Sequence, residues 1–475
     1  MYTKVGIWLL LSFPLNAVYK RLPDDGIRLK SWYIISVSLI LLKTFFGVFR
    51  GIAPLLISTL FTYFLTKFNR SKYMPCVNFV VCMAYLALNH IRAQYFGDEN
   101  VYAITGAQMV LVMKLTSFAW SYYDGAESHL EKLNNHSRRY MIVKHPDLVR
   151  FIAYALFYPT LLTGPTCEFA DFDDWLTCKI FSGLPEDKKL NKNSGGKYPA
   201  RKIPYSGYDA MIMASKGIIW LALTVVLTSI IDVDYLDTAD FKEKSFFIKI
   251  HMLYFLGFTM RLKYYAAWVI AEASCVECGL DFLEYDEKEK KIIWGRVCNV
   301  DPIKFELAQN AKSCLDAWNK GTNKWLKNHV FLRAVPLGKE PGFRPALLTF
   351  ATSAFWHGIR PGYYLSFISA AFFQTVGKIY RRNFRPLFLQ RDGVSPKRSK
   401  IFYDIFTFWA TQLAFGYMVQ PFLILDLKKS LECWREVYYY VHVVIIVTLV
   451  VFKGPFGKRV SAFLNRYKLS KQPKK

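Results

Sequence analysis

His357 lies inside a long apolar stretch, SAFWHGIRPGYY (353–364), 38 residues after Asn319 in WNKGTNKWLKNHVFLR (318–333). A proton-exchanging group at membrane depth costs free energy, so its presence there points to function by default. Held against apolar walls, an imidazole is biased toward its neutral form, and that is the form a general base requires. An asparagine offers a donor and an acceptor without charge, which suits holding a hydroxyl or a developing oxyanion. Residue types alone leave a second reading open, in which the two side chains only pack. What sets His357 apart is its surroundings. Trp356 and Gly358 flank it, Arg360 and Pro361 follow, and a helix break is expected over 358–362, which puts the ring at a helix end facing a cavity.

The other seven histidines have plainer readings. His129, His136 and His145 fall in a polar connection and read as solvated. His90, His251 and His442, in or at the ends of apolar runs, read as hydrogen-bonded structural residues. His329, beside the asparagine segment, reads as facing water.

The elements that position these residues follow from composition. The chain has 475 residues, 53% of them hydrophobic and 17% aromatic, and its mean hydropathy is positive. This excludes a soluble domain and a disordered chain, and indicates an integral membrane protein. Apolar runs approach the roughly 20 residues that cross a hydrocarbon core as helix at 32–49, 52–68, 75–91, 209–231, 246–273, 363–380, 401–425 and 437–452, with shorter candidates at 6–19, 108–122, 148–163 and 345–357. Backbone polar groups cannot go unpaired in lipid, so the expected fold is all-α: a polytopic transmembrane helical bundle of about eleven spans. Segment 6–19 runs into Lys20 and Arg21 without a small-residue cleavage site, so it reads as a retained helix and not a signal peptide. Segment 284–332, less apolar and rich in Trp, Lys and Asn, reads as amphipathic surface helices. The domain expectation is one membrane domain over 1–460 with a basic tail over 461–475.

Lys and Arg number 62 against 36 Asp and Glu, a net charge of +26. Nucleic acid is not the partner this implies, because no basic and aromatic RNA-binding module accompanies the charge. Basic residues collect at 188–202, 378–400 and 453–475, as the positive-inside rule places them in cytosolic loops, where they meet anionic membrane lipids and anionic substrates. The stretch 185–208, with its charge, paired glycines and prolines, reads as an exposed loop. Nine cysteines without regular spacing exclude a disulfide scaffold. Cys275 and Cys278 form a C-x-x-C with no second pair to complete a zinc site, and read as two buried thiols at a helix end.

Several segments together resemble the membrane-bound O-acyltransferases, and within them the acyl-CoA lysophospholipid acyltransferases of fungi and animals: QMVLVMKLTSFAWSYYDG (108–125), LTGPTCEFADF (162–172), RLKYYAAWVIAEA (261–273), and the two segments that hold Asn319 and His357. The resemblance implies a catalytic pair, His357 of the F-W-H-G motif and Asn319 of the W-N motif, with Asn323 on the same helical face as the fallback. It implies a long-chain acyl-CoA as co-substrate, unsaturated by preference, a lysophospholipid as acceptor, no cofactor or metal, and the endoplasmic reticulum as the membrane. In that chemistry His357 takes the hydroxyl proton, the oxygen attacks the thioester, and a tetrahedral oxyanion forms and collapses in a dry cavity that positions both lipids. Trp356 beside the histidine is a further substrate-binding candidate. Arg261, Tyr265, Trp268 and Glu272 recur at helical spacing, as a packing stripe or as the wall of a substrate tunnel. Lys114 either snorkels to the surface or meets a phosphate or carboxylate. A protein, sterol or diacylglycerol acceptor and a non-enzymatic transporter are the other classes. The F-Y-x-D-W-W motif usual in sterol and diacylglycerol relatives is absent.

Overall fold

The computed structural model describes residues 2–96, 99–126, 133–191, 201–335, 342–390 and 392–469. These residues are helical almost throughout, as expected for a polytopic bundle. The chain divides into two compact units. The first takes Met1–Ala222, Lys263–Val300 and Asn319–His329; the second takes Leu223–Leu262, Asp301–Trp318 and Val330–Lys475. The long helix Phe246–Glu277 gives its first half to the second unit and its second half to the first.

The first unit is organised by the helix Glu99–Asp124, whose residues from Ile104 to Ala119 are nearly all buried. Lipid offers no hydrophobic drive between helices, so polar side chains supply much of the specificity of their pairing. Asn89 donates to Gln108 (2.6 Å), Thr62 to Asn78 (2.8 Å) and Asn78 to the Leu115 carbonyl (3.2 Å). The first helix, Tyr2–Tyr19, is tied in the same way. The Trp8 indole donates to the Tyr158 carbonyl (2.8 Å), and Asn16 donates to the Ser274 carbonyl (2.6 Å) while accepting from the Tyr158 hydroxyl (2.5 Å). This segment is therefore an integral part of the unit's core.

In the second unit Leu253, Leu256, Val376, Ala414, Tyr417, Met418, Trp434, Val437 and Val441 form one apolar cluster. His442 accepts or donates at the Tyr417 hydroxyl (2.7 Å) and Ser369 (3.1 Å), and His251 bonds the Phe247 carbonyl (2.7 Å), so both are hydrogen-bonded structural residues, as read from sequence.

Among the described residues, four helices are long and apolar enough to cross a membrane: Ile27–Phe46, Val48–Phe68, Met74–Tyr95 and Gly207–Asp237. Several expected spans depart from single straight helices. Segment 148–163 is two short helices, Leu148–Ala155 and Tyr158–Leu161, because Pro159 brings no N–H and starts a new turn. Segment 437–452 starts with Tyr438 and Tyr439 at positive φ, and the helices Leu427–Arg435 and Tyr440–Lys453 meet at 78°. The helix Phe343–His357 has 15 residues, about 22 Å of rise, short of a roughly 30 Å hydrocarbon core.

The segment expected as surface helices from Glu284 opens instead as an antiparallel hairpin, Phe282–Asp286 paired with Lys291–Trp294. FLEYD and KIIW carry the β-branched and aromatic residues that fit a pleated surface, and the charged EKEK between them makes the turn. Helices begin only at Pro302, as Pro302–Glu306, Ala311–Ala317 and Lys320–Leu326. The loop 185–208 is closed at its base by an isolated bridge between Lys189 and Pro204 and by the buried Arg201–Asp24 ion pair (2.7 Å). Residues 192–200 of that loop, residues 470–475 of the tail and His129 lie outside the described residues.

Gly358 and Gly362 make the break after His357. Gly358 caps the helix with φ 142°, where an L side chain is strained, and its N–H returns to the Ala354 carbonyl (3.1 Å). Pro361 opens the next helix, Pro361–Asn383. At Gly362 the backbone passes so close to the helix Lys400–Ile424 that a Cβ would lie 2.0 Å from the Pro421 carbonyl oxygen and 2.7 Å from the Leu425 Cα. Both neighbours are backbone and cannot rotate away. Gly362→Ala is therefore expected to cost about 3 kcal/mol or more, read as a clear fall in Tm of the purified protein. Gly6→Ala, where nothing lies within 4 Å, should leave Tm unchanged or slightly raised. Equal melting of Gly362→Ala and wild type would disprove the close approach.

Candidate functional site

In the second unit His357 ends the helix Phe343–His357 and is half-buried. Aromatic rings surround it: Phe367 stacks at 5.1 Å between centroids, Phe422 meets it edge-on at 5.0 Å, Trp356 at 4.7 Å, and Tyr363 lies tilted at 5.7 Å. Such a cage contributes packing as well as low polarity, so the imidazole does more for stability than a ring lining an open cavity would. Trp356 is itself 4% exposed.

Arg261, also in this unit, is engaged. Its guanidinium makes a two-pronged pair with Glu306, both bonds 2.8 Å, and lies 4.9 Å from the Phe305 ring centre. Planar bidentate pairing of this kind holds two elements in register, so the packing reading fits Arg261. The missed sequence signal was Glu306, at the end of the short helix Pro302–Glu306.

In the first unit Asn319 stands at the N-cap of Lys320–Leu326 in the left-handed conformation, φ 42° and ψ 54°. Asparagine is among the few non-glycine residues that tolerate this region, and such backbone settings gather at functional positions. Asn323 bonds through its N–H to the Asn319 carbonyl (2.9 Å), one turn on. The expected shared face stops at the backbone, because a left-handed residue sends its Cβ off the helical direction that Asn323 keeps. Asn299, 3% exposed, fixes the start of this helix: its carbonyl accepts from the Lys320 N–H (2.8 Å) and its side chain from the Gly321 N–H (2.9 Å). No motif pointed to Asn299. The helix is anchored to Glu99–Asp124 by Trp325, donating to Thr116 (2.9 Å), and by Thr322, donating to the Met113 sulfur (3.3 Å).

Lys114 does not snorkel to the surface. It is 1% exposed, its ammonium donates to the carbonyls of Tyr154 and Ala155 (3.4 Å to the latter), and it lies 4.5 Å from the Tyr154 ring centre. The break after Ala155 leaves carbonyls unpaired by the helix, and a cation at a helix C-terminus meets both their hydrogen-bonding need and the dipole. Of the remaining stripe, Tyr265 is fully buried with its ring 5.4 Å from Trp220, Trp268 donates to the Thr163 carbonyl (2.9 Å), and Glu272 is 5% exposed. All three are buried within the first unit. Thr163 precedes the cis Gly164–Pro165 bond.

Cys275 and Cys278 are free and buried at a helix end, as expected. His145 is only partly exposed, bonding Thr66 (2.9 Å) and lying edge-on to Tyr63, Phe118 and Tyr122. His329 does not face water, with a side chain 3% exposed.

Residues 56–420 match the model of the membrane-bound O-acyltransferase family. The chain belongs to this family. As a membrane-bound O-acyltransferase it is an enzyme that moves acyl groups onto oxygen, and a multi-helix membrane protein. It is 50% identical to a Saccharomyces cerevisiae protein named lysophospholipid acyltransferase, over 99% of this chain and 76% of the yeast protein. A Schizosaccharomyces pombe protein of the same name is 37% identical over 98% of this chain and 90% of its own length. The rat membrane-bound glycerophospholipid O-acyltransferase 2 is 30% identical over 80% of this chain and 71% of its own.

Proposed function

We propose that this O-acyltransferase moves a long-chain, preferably unsaturated acyl group from acyl-CoA to the free hydroxyl of a lysophospholipid, in the membrane of the endoplasmic reticulum. The observation that carries the acceptor class is half-identity across nearly the whole chain to a protein named for that activity. The sequence motifs shared with the family support the donor.

His357 is the general base. Its neutral ring takes the proton of the acceptor hydroxyl as the oxygen attacks the thioester carbonyl. The tetrahedral oxyanion collapses with cleavage of the carbon–sulfur bond, and the imidazolium returns its proton to the departing CoA thiolate, so the enzyme ends unchanged. Asn319 serves the reacting oxygens by donating from its amide, which needs no charge of its own. Supporting the first role is a ring at a helix end, flanked by a glycine and proline break and walled by aromatic side chains. Supporting the second is the left-handed backbone of Asn319, held from behind by Asn299.

Headgroup breadth follows if the glycerol hydroxyl and acyl chain are the recognised parts, since a headgroup at the interface is satisfied by water. The cationic segments, Lys378 to Lys400 among them, would draw the anionic CoA moiety. The test is a panel of lysophospholipids at fixed oleoyl-CoA with purified protein, read by product chromatography. Lysophosphatidylcholine or lysophosphatidylethanolamine is expected among the good acceptors. Transfer to cholesterol, diacylglycerol or a peptide serine, with no lysophospholipid product, would move the chain to another branch of the family.

A further inference from the structure

Three potential metal ligands converge in the first unit from segments distant in sequence. His136 comes from the helix Asn135–Tyr140, Glu168 from the N-cap of Phe169–Leu176, and His329 from the turn Lys327–Phe331 that follows the asparagine helix. The Nε2 atoms of His136 and His329 lie 3.7 and 3.8 Å from Glu168 Oε1, and one ligand atom from each of the three residues falls within 4.8 Å of the others. The first two distances exceed the 3.2 Å or so of a hydrogen bond. They approach the separation of about 3.4 Å between two ligands of a tetrahedral ion with bonds near 2.1 Å.

The polar atoms here are also in deficit. Among the described residues, neither ring nitrogen of His329 and not Oε2 of Glu168 makes a hydrogen bond, although the His329 side chain is 3% exposed. Leaving such groups buried and unsatisfied is costly unless a partner meets them.

We infer that His136, Glu168 and His329 bind a divalent first-row transition ion, zinc by the character of its two-imidazole, one-carboxylate donor set. Three protein ligands leave a fourth position for water. The ion's place is structural with respect to the asparagine helix: His329 follows Lys320–Leu326 by three residues, so the ion pins the far end of the helix whose start carries Asn319 to the segments around 136 and 168. This site is additional to the acyl-transfer chemistry proposed above and does not depend on it.

The test measures metal, not turnover. Full-length protein purified in detergent is analysed by mass spectrometry of its bound elements, as wild type, Glu168→Gln, His136→Gln and the double variant Cys275→Ser/Cys278→Ser. The expected result is near one zinc per wild-type chain, retained by the cysteine variant and lost by at least about tenfold, a difference of 1.4 kcal/mol or more in binding, in either ligand variant. Zinc-edge X-ray absorption should show nitrogen and oxygen neighbours without sulfur. Glu168→Gln preserves shape, and His136 is partly exposed, so at least one variant should remain folded by its melting curve. Wild type that neither carries nor takes up zinc or another divalent first-row ion added at equimolar amount, metal retained in full by a folded ligand variant, or sulfur ligation would each overturn the inference.

Discussion

Replacing His357 with Ala is expected to lower kcat for acyl transfer by about a thousandfold or more, within the 10²–10⁴ that removal of a positioned general base costs. The ring's aromatic contacts add a second effect. Phe367, Phe422, Trp356 and Tyr363 all lie against it, and pairs of this kind contribute about 0.5–1.5 kcal/mol each, so the alanine variant should also melt earlier. His357→Phe separates the two roles. It keeps an aromatic ring of similar size and should hold Tm near wild type while remaining as inactive as the alanine variant. A His357→Phe enzyme with near-normal kcat would remove His357 from the chemistry, whatever the alanine variant did.

Asn319→Ala is expected to lose most activity, roughly a hundredfold, the cost of one donor to a developing oxyanion, while Asn323→Ala loses much less. Alanine at φ 42° also strains the backbone by about 1–2 kcal/mol. Glycine does not, so Asn319→Gly keeps the turn and removes only the amide. Steady-state kinetics of the three variants then separate cause from strain. Loss in both Asn319→Ala and Asn319→Gly marks the amide as the required group; recovery in Asn319→Gly would mean that backbone geometry alone had been disturbed. Stronger loss in Asn323→Ala than in either would transfer the role one helical turn along the chain.

The helix end at His357 was legible because its cause is local. Two glycines and a proline within five residues, Gly358, Pro361 and Gly362, break a helix whatever surrounds it, and the structure breaks there. Asn319 was legible by motif, but its left-handed backbone was not, because the two bonds that set the helix start come from Asn299, twenty residues earlier. The protein partners of Lys114 were not legible for a related reason. A lysine in an apolar run is expected to reach for the surface, and this one is buried against carbonyls freed by a helix break forty residues on. The hairpin at Phe282–Trp294 was hidden by treating 284–332 as one amphipathic segment, although its period changes from two to helical after Trp294. His136 reads as solvated because it falls in a polar, charged connection, and His329 because it neighbours the asparagine segment. Only the fold brings both beside Glu168.

The most direct measurement of the central claim uses radiolabelled oleoyl-CoA with purified wild type and His357→Phe, in a mixed-acceptor reaction holding lysophosphatidylcholine, diacylglycerol, cholesterol and a serine peptide at equal concentration. Labelled lipid and free CoA thiol are counted together, so that transfer is distinguished from thioester hydrolysis. Wild type should release one CoA per labelled phosphatidylcholine and His357→Phe should give neither above background. Equal phosphatidylcholine from both proteins, or label arriving on a different acceptor, would contradict a histidine-dependent transfer to lysophospholipid.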